Sequence, residues 1–350
     1  MMKALIDKLF VTHCLTIEEY QSLIENRNEE LTLYLKEKAD ILRTQYYNHD
    51  IYIRGLIEIS NYCKNDCLYC GIRAKNDKCI RYRLYKDEIL ECVKQGYELG
   101  YRTFVLQGGE DPYYSDDILC DIVSTIKNNY SDCAITLSVG ERSYESYKKL
   151  YDAGADRYLL RHETANKEHY EKLHPTTMSY VHRMQCLKDL KDIGYQVGCG
   201  FMVGSPYQSS YTLAQDLKFI ETFKPHMCGI GPFIPHDCSV FKNKLAGSVE
   251  ETCYLLSIIR LIHPSILLPS TTALSTLKQS GREQGILAGA NVIMPNLSPL
   301  SVREKYELYN HKSHNGKESA QYLESIKKDM LAIGYQIVIH RGDYKGENYV

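Results

Sequence analysis

The chain has 350 residues, 44% of them hydrophobic, with a formal net charge of −2 and thirteen cysteines. That length suits two average domains or one large α/β barrel. The near-balanced charge argues against a nucleic-acid or anionic-membrane surface, and no apolar run approaches the roughly 18–20 residues of a membrane span.

The opening MMKALIDKLFVTHC has neither the apolar core nor the small-residue cleavage site of a secretory signal, and it is not an Arg/Ser-rich transit sequence. Cysteines in a chain retained in a reducing compartment are buried thiols, catalytic groups or metal ligands rather than disulfides. From the N-terminus, ALIDKLF and TIEEYQSLIENRNEELTLYLKEKADILRTQYY carry apolar residues at three- and four-residue steps and predict helices. Thr16 with Glu19 matches a capping box.

From residue 51 the rhythm changes. IYIRGLIEIS, TFVLQGG, AITLSV, RYLLRH, YQVGCGFMVG, HMCGIGPF, SILLPS and NVIMP predict eight strands. Between them, DEILECVKQGYELG, DDILCDIVSTIKNN, ERSYESYKKLYDAG, YVHRMQCLKDLKDIG, SYTLAQDLKFIETF, VEETCYLLSIIRLI and TALSTLKQSGREQGILAG predict helices, often with Gly at the end where a left-handed cap is favoured. Strict alternation implies parallel strands with helical crossovers, and eight units favour a (β/α)8 TIM-type barrel over a doubly wound sheet. The expected organisation is N-terminal helices over 1–50, a barrel over 51–300 and a segment over 301–350 that closes the barrel.

A barrel of this kind works at the C-terminal ends of its strands. There the sequence places Cys63, Cys67 and Cys70, then Gln107 to Glu110, Ser138, Arg161 with Glu163, Thr271 with Thr272, and Asn296. The cysteines are spaced C-x3-C-x2-C. A structural zinc site wants four ligands, usually as paired knuckles, and only Cys79 follows nearby. A ferredoxin-type cluster wants a fourth cysteine, and a nucleophile needs one thiolate, not three. Buried thiols by chance sit poorly beside Asn61, Lys64, Asn65 and Asp66. Three thiolates on a [4Fe–4S] cluster leave one iron open to a small molecule bearing an amine and a carboxylate.

The neighbouring motifs each have a plainer reading. QGGED is a tight strand-to-helix turn or a close-approach site for a ligand. Arg161 and Glu163 make an internal ion pair or grip a zwitterion; Arg183 is a solvated helical arginine or a second carboxylate contact. GCGFMVG allows close strand packing. Thr271 or Thr272 caps a helix or meets an anion. Tyr306 and Tyr309 form a packing stripe or close the cavity.

C-x3-C-x2-C with Tyr69 before the last cysteine resembles the radical S-adenosylmethionine (SAM) enzymes. The resemblance implies a [4Fe–4S] cluster held by Cys63, Cys67 and Cys70, with SAM on the open iron and reductive cleavage to a 5′-deoxyadenosyl radical. The longer strings CLYCGIR, LQGGED, ERSYESY, GADRYLLRHETAN, FMVGSP, GPFIPH, TTALSTL, GANVIMPNLSP and REKYELYNHK, over about residues 50–312, are similar to the HydE family of [FeFe]-hydrogenase maturases. That resemblance implies SAM contacts from Gly108, Gly109, Glu110, Ser138, Glu163 and Arg183. It implies a cavity lined by Thr136, Arg161, Thr271, Thr272, Tyr306 and Tyr309 for an anionic substrate, a cysteine-bound Fe(CO)2(CN) synthon attacked at sulfur. Met227 and Met294 fall in matching strings, with packing as their expected role.

Implied partners are the maturases HydG and HydF and a flavodoxin- or ferredoxin-type reductant; the implied compartment is the cytoplasm of an anaerobe, or an organelle matrix. Some family members bind an auxiliary cluster through C-terminal cysteines. Here the last cysteine is Cys253 and NHKSHNGKES has none, so no such cluster is expected there. Tyr207 in SPYQSS and Asp237–Cys238 in FIPHDCS depart from the family pattern. The alternatives are a biotin-synthase-like enzyme, for which Cys133 and Cys199 could serve an extra cluster, a methylornithine-synthase-like enzyme, or a non-enzymatic iron–sulfur or zinc protein.

Overall fold

The structure, a computed structural model, describes residues 2–312 and 319–346. Three helices open the chain: α1 (Met2–Thr12), α2 (Ile17–Glu25) and α3 (Glu29–Tyr47). The expected capping box is present, the Glu19 amide donating to Thr16 Oγ1 and the Thr16 amide to the Glu19 carboxylate at 2.9 Å. Ile6, Leu9, Tyr20, Leu23, Leu35 and Ala39 are fully buried in the same core as the strands that follow. The N-terminal helices therefore share one hydrophobic interior with the rest of the chain.

IYIRGLIEIS, expected as one strand, forms two: β1 (Asp50–Ile53) and β2 (Gly55–Ser60). From β2 the chain alternates through α4 (Lys86–Glu98), β3 (Thr103–Gly108), α5 (Asp116–Asn129), β4 (Ala134–Ser138), α6 (Tyr144–Asp152) and β5 (Arg157–Leu159). A short helix that the sequence did not advertise, α7 (Lys167–Leu173), precedes α8 (Tyr180–Ile193) and β6 (Gln196–Cys199). Gly194 supplies the left-handed cap expected after α8.

YQVGCGFMVG and HMCGIGPF each break in two. The second halves, β7 (Met202–Val203) and β9 (Gly231–Pro232), pair with each other beyond β6 and β8 (Met227–Cys228). The break lies where Gly200 meets Gly229: a Cβ on Gly200 would stand 2.0 Å from the Gly229 carbonyl oxygen. Only glycine permits that approach, so both strands bend at the same level.

After α9 (Ser210–Phe223) and α10 (Val249–Ile262), the helix expected over TALSTLKQSGREQGILAG divides into α11 (Thr272–Leu277) and α12 (Gly281–Leu287). Lys278 is extended there, and Gly281 folds back so closely that a Cβ would meet Leu274 O at 2.1 Å.

The parallel sheet runs β2-β3-β4-β5-β6-β8. Among the described residues its two edges are joined only by single bridges, Met227 with Leu267, Pro269 with Val292 and Leu56 with Asn296. Among the described residues the expected continuous ring of eight strands is thus not formed, although the arrangement is consistent with a TIM-type barrel. SILLPS cannot extend a ladder through Pro269, which has no amide proton to donate.

β1 instead pairs with β10 (Val292–Ile293) and with β11 (Gln336–Val338), which follows α13 (Leu300–Arg303) and α14 (Leu323–Ala332). The segment expected to close the barrel is divided between its two ends. Residues 305–312 reach the mouth. Beyond β11, Arg341 O accepts from Thr103 Oγ1 and the Arg157 guanidinium, and Asp343 pairs with Arg157 at 2.6 Å, at the strand starts.

Candidate active site

The C-terminal ends of the strands surround a cavity of about 350 Å3. Cys63, Cys67 and Cys70 share its wall with Gly108, Gly109, Glu110, Ser138, Arg161, Glu163, Arg183, Thr271, Thr272, Tyr306 and Tyr309. Met294 also lines it. Thr136, Met227, Cys133 and Cys199 do not. Thr136 lies two residues before Ser138 on the same face of β4, hence one layer deeper, its hydroxyl buried without a hydrogen-bond partner. Cys133 and Cys199 are fully buried in the hydrophobic core.

The cysteine loop after β2 has no regular structure and is held from outside. Leu68 N–H donates to Leu173 O, Val240 N–H to Leu68 O, Gly71 N–H to Leu308 O, and Lys64 N–H to Glu110 O, all within 2.8–3.0 Å. Arg73 grips Asp66 through two bonds of 2.6 and 2.7 Å, and the Arg81 guanidinium donates to Ile72 O and Arg73 O. Asn61 ties the start of the loop to Ile80 O, Lys305 O and the Tyr82 amide. The polar residues between the cysteines are therefore partly structural.

Gly109 touches this loop directly; a Cβ there would fall 2.2 Å from Tyr62 O and 2.7 Å from Cys63 Cβ. The Glu110 carboxylate accepts from the Glu141 amide at 2.9 Å and stands 3.3 Å from Lys64 Nζ.

Burial pushes all three thiols above their ordinary value, Cys70 to about 12, and at Cys67 and Cys70 the neighbouring cysteines add to the rise. Gathered sulfurs of this kind hold their protons until a metal displaces them. Among the described residues no three His, Cys, Asp or Glu side chains converge as they would around one metal ion. Cys63, Cys67 and Cys70 share the wall of the cavity, and thiolates that each bind a different iron are the donors a polynuclear cluster takes. The donor set fits a [4Fe–4S] cluster.

In the same cavity, Arg161 and Glu163 stand 3.3 Å apart without hydrogen-bond geometry. Arg161 Nε and one terminal nitrogen, and Glu163 Oε2, are buried atoms with no hydrogen-bond partner among the described residues. Unsatisfied groups of opposite charge side by side are what a zwitterionic ligand would satisfy. Glu163 is held at φ +64°, in the left-handed region that non-glycine residues seldom occupy.

Arg183 is not the solvated arginine its helix suggests. Its guanidinium binds Glu141 and donates to Arg161 O at 2.6 Å. Burial lowers its pKa, but Tyr170 and Glu141 outweigh that and hold it above the ordinary value. Thr271 stands at the N-cap of α11, yet its hydroxyl donates to Ile230 O at 3.2 Å rather than capping the helix.

Sequence reasoning missed a buried group on the same wall. Glu58 in β2 pairs with Lys312 and accepts from Asn296 Nδ2 at 2.8 Å; Lys312 also donates to Tyr306 O, and Gln107 donates to the Tyr306 hydroxyl. Two layers below, Arg54 is fully buried; among the described residues its side chain finds only Met227 Sδ at 2.8 Å, and burial drives its pKa well down. The available signal was Arg54, Leu56 and Glu58 alternating on one face of an otherwise apolar run.

Residues 57–220 match the Radical SAM superfamily. Over 271 residues, 77% of each chain, the sequence is 45% identical to the [FeFe] hydrogenase maturase subunit HydE of Thermotoga maritima. It is 28% identical to a 3-methylornithine synthase of Methanosarcina acetivorans over 86% of each chain. The fold superposes on a crystal structure of methylornithine synthase (PylB) with a TM-score of 0.81 and 24% identity, covering 95% of this chain and 97% of that one. No helix among the described residues is long and apolar enough to cross a membrane. With its three cysteines, its Gly-Gly-Glu turn and its Arg161–Glu163 pair around one cavity, the chain is a radical SAM enzyme and belongs to the HydE family of hydrogenase maturases.

Proposed function

We propose that this chain is a maturase for the two-iron subcluster of [FeFe]-hydrogenase and that its barrel-like cavity is the reaction chamber. The observation that carries the reading is the gathering of Cys63, Cys67 and Cys70 with Gly109, Glu110, Arg161 and Glu163 on the wall of one cavity. Cys63, Cys67 and Cys70 would hold a [4Fe–4S] cluster, which when bound supplies the electron that cleaves SAM to methionine and a 5′-deoxyadenosyl radical.

Around it, the Gly108–Gly109–Glu110 turn would receive the methionyl amine, with backbone able to approach because neither glycine has a Cβ. Ser138 and Glu163 would hold hydroxyl groups of SAM, and Arg183, fixed by Glu141, would favour its carboxylate. Arg161, Thr271, Thr272, Tyr306 and Tyr309 would line the substrate half, where an anionic cysteine-bound Fe(CO)2(CN) species would present its sulfur. Thr136 lies too deep for direct contact. Buried Tyr306 and the segment over 305–312 would keep water from the radical.

HydG and HydF are the proposed partners and a flavodoxin or ferredoxin the reductant. NHKSHNGKES, where other family members carry auxiliary-cluster cysteines, lies partly outside the described residues; the sequence offers no thiol there. Anaerobic reconstitution followed by iron counting, then SAM and dithionite, tests the chemistry. About four irons per chain and 5′-deoxyadenosine are expected, whereas one tight zinc and no SAM cleavage would refute it. Deleting the gene in a host that makes active [FeFe]-hydrogenase tests the role; hydrogenase that stays active would refute the maturase assignment.

A further inference from the structure

We propose that His162 and Asp216, neither of which lines the cavity, act as a positioning pair that holds Glu163 in its working geometry beside Arg161. The inference rests on reading that cavity as the SAM site. His162 sits between two cavity residues and points the opposite way, fully buried against the rings of Phe219 and Phe201, with centroids 4.7 and 5.7 Å away. Its Nδ1 accepts from Gly200 N–H at 3.2 Å, while Glu163 N–H donates to Gly200 O at 3.0 Å. Consecutive residues thus clamp both polar groups of Gly200.

With Nδ1 accepting, a neutral imidazole carries its proton on Nε2. That atom stands 3.4 Å from Asp216 Oδ1 without hydrogen-bond geometry and has no other hydrogen-bond partner among the described residues. Asp216, on α9, is also fully buried, and its Oδ1 accepts from the Ala165 amide. Ala165 O in turn accepts from the Tyr180 hydroxyl at 2.9 Å. Asp216 therefore reaches both sides of the turn 162–165, which contains Glu163 at φ +64°.

A non-glycine residue leaves the left-handed region unless its surroundings over-determine it. A free 162–165 turn would let Glu163 relax and carry its carboxylate away from Arg161. Two buried polar groups on the outer side of the sheet have no role in packing that an apolar pair would not fill better. What they do provide is a directional hold on the backbone between them.

The test uses the full chain, reconstituted anaerobically, with iron content and thermal unfolding measured first. Asp216→Ala removes both contacts; Asp216→Asn keeps an oxygen for the Ala165 amide. Asp216→Ala is expected to weaken SAM binding at least tenfold at unchanged iron content, and Asp216→Asn to recover most of the loss. On a Glu163→Ala background Asp216→Ala should add nothing, because its effect passes through Glu163.

Independent, additive losses in the two backgrounds, or no recovery in Asp216→Asn, would overturn the proposal. If Asp216→Ala does not fold, His162→Leu goes through the same cycle with the same expected outcomes. A ligand-free crystal structure of the variant gives a readout that needs no SAM. Glu163 should leave the left-handed region; Glu163 still at φ near +64° with its carboxylate in the cavity would overturn the pair's role. Wild-type protein that binds no SAM would refute the reading of the cavity, while the crystal structure still decides the pair.

Discussion

Gly109→Ala puts the contact between the β3 turn and the cysteine loop under direct test. The new Cβ would stand 2.2 Å from Tyr62 O and 2.7 Å from Cys63 Cβ, where real Cβ atoms keep beyond 3.0 Å. The Tyr62–Cys63 peptide must then retreat by about 0.8 Å, against a tolerance of about 0.2 Å in metal–ligand distances. The strain is not absorbed locally, because Gly109 N–H is bonded to Ser60 O and Lys64 N–H to Glu110 O. Overpacking of this kind costs about 1–3 kcal/mol, so the protein should fold with a modestly lowered Tm.

Iron after anaerobic reconstitution should fall to about half or less of the wild-type value, since the peptide that carries Cys63 is displaced beyond that tolerance. SAM cleavage should fall with it. Gly108→Ala is the internal control: its Cβ would meet nothing nearer than 3.3 Å, and iron content should be nearly unchanged. Gly109→Ala protein with a full cluster and wild-type SAM cleavage would refute the reasoning.

Lys312→Met strands the fully buried Glu58 carboxylate and should cost about 3–5 kcal/mol in denaturant unfolding. Adding Glu58→Gln should return most of that loss, and a double variant as unstable as the single one would contradict the pairing. Arg73→Ala removes a two-bond grip on Asp66 in a little-exposed setting. It should cost about 1–2 kcal/mol and speed amide exchange over residues 63–76 before it affects the barrel.

Asp343 gives a pH prediction. Burial raises its carboxyl, but Arg157 and Arg341 outweigh that and hold it at about 2. An unfolded Asp titrates near 3.9, so the stabilisation is full above about pH 4 and lost as pH falls towards 2. The stability gap between wild type and Asp343→Asn should therefore be open at pH 6 and narrow steadily below pH 4. A gap independent of pH would show that Arg157 does not set the carboxyl.

Much of the site could be read from the sequence because its groups come in short strings with fixed chemistry. Cys63, Cys67 and Cys70 fall within eight residues of one loop, QGGED is one turn, and Arg161 with Glu163 end one strand. Period-two and helical patterns also located most elements, since both follow from which residues face a core. The patterns were weaker where strands break. Gly200 and Gly229 looked like glycines inside strands until their mutual approach explained both bends, and the ladder fails at Pro269 for want of a donor.

What the sequence determined by itself was the parallel α/β class, the iron–sulfur motif and the family, because each depends on local spacing or on strings that need no partner to be recognised. Tertiary structure decided what depends on residues far apart in the chain. Glu58 meets Lys312, Asp343 secures Arg157 at the opposite end, Arg183 turns inward to Glu141, and Asp216 reaches His162 behind the cavity wall. Buried charges choose partners by direction and desolvation, and those are set only once the strands have brought distant segments together.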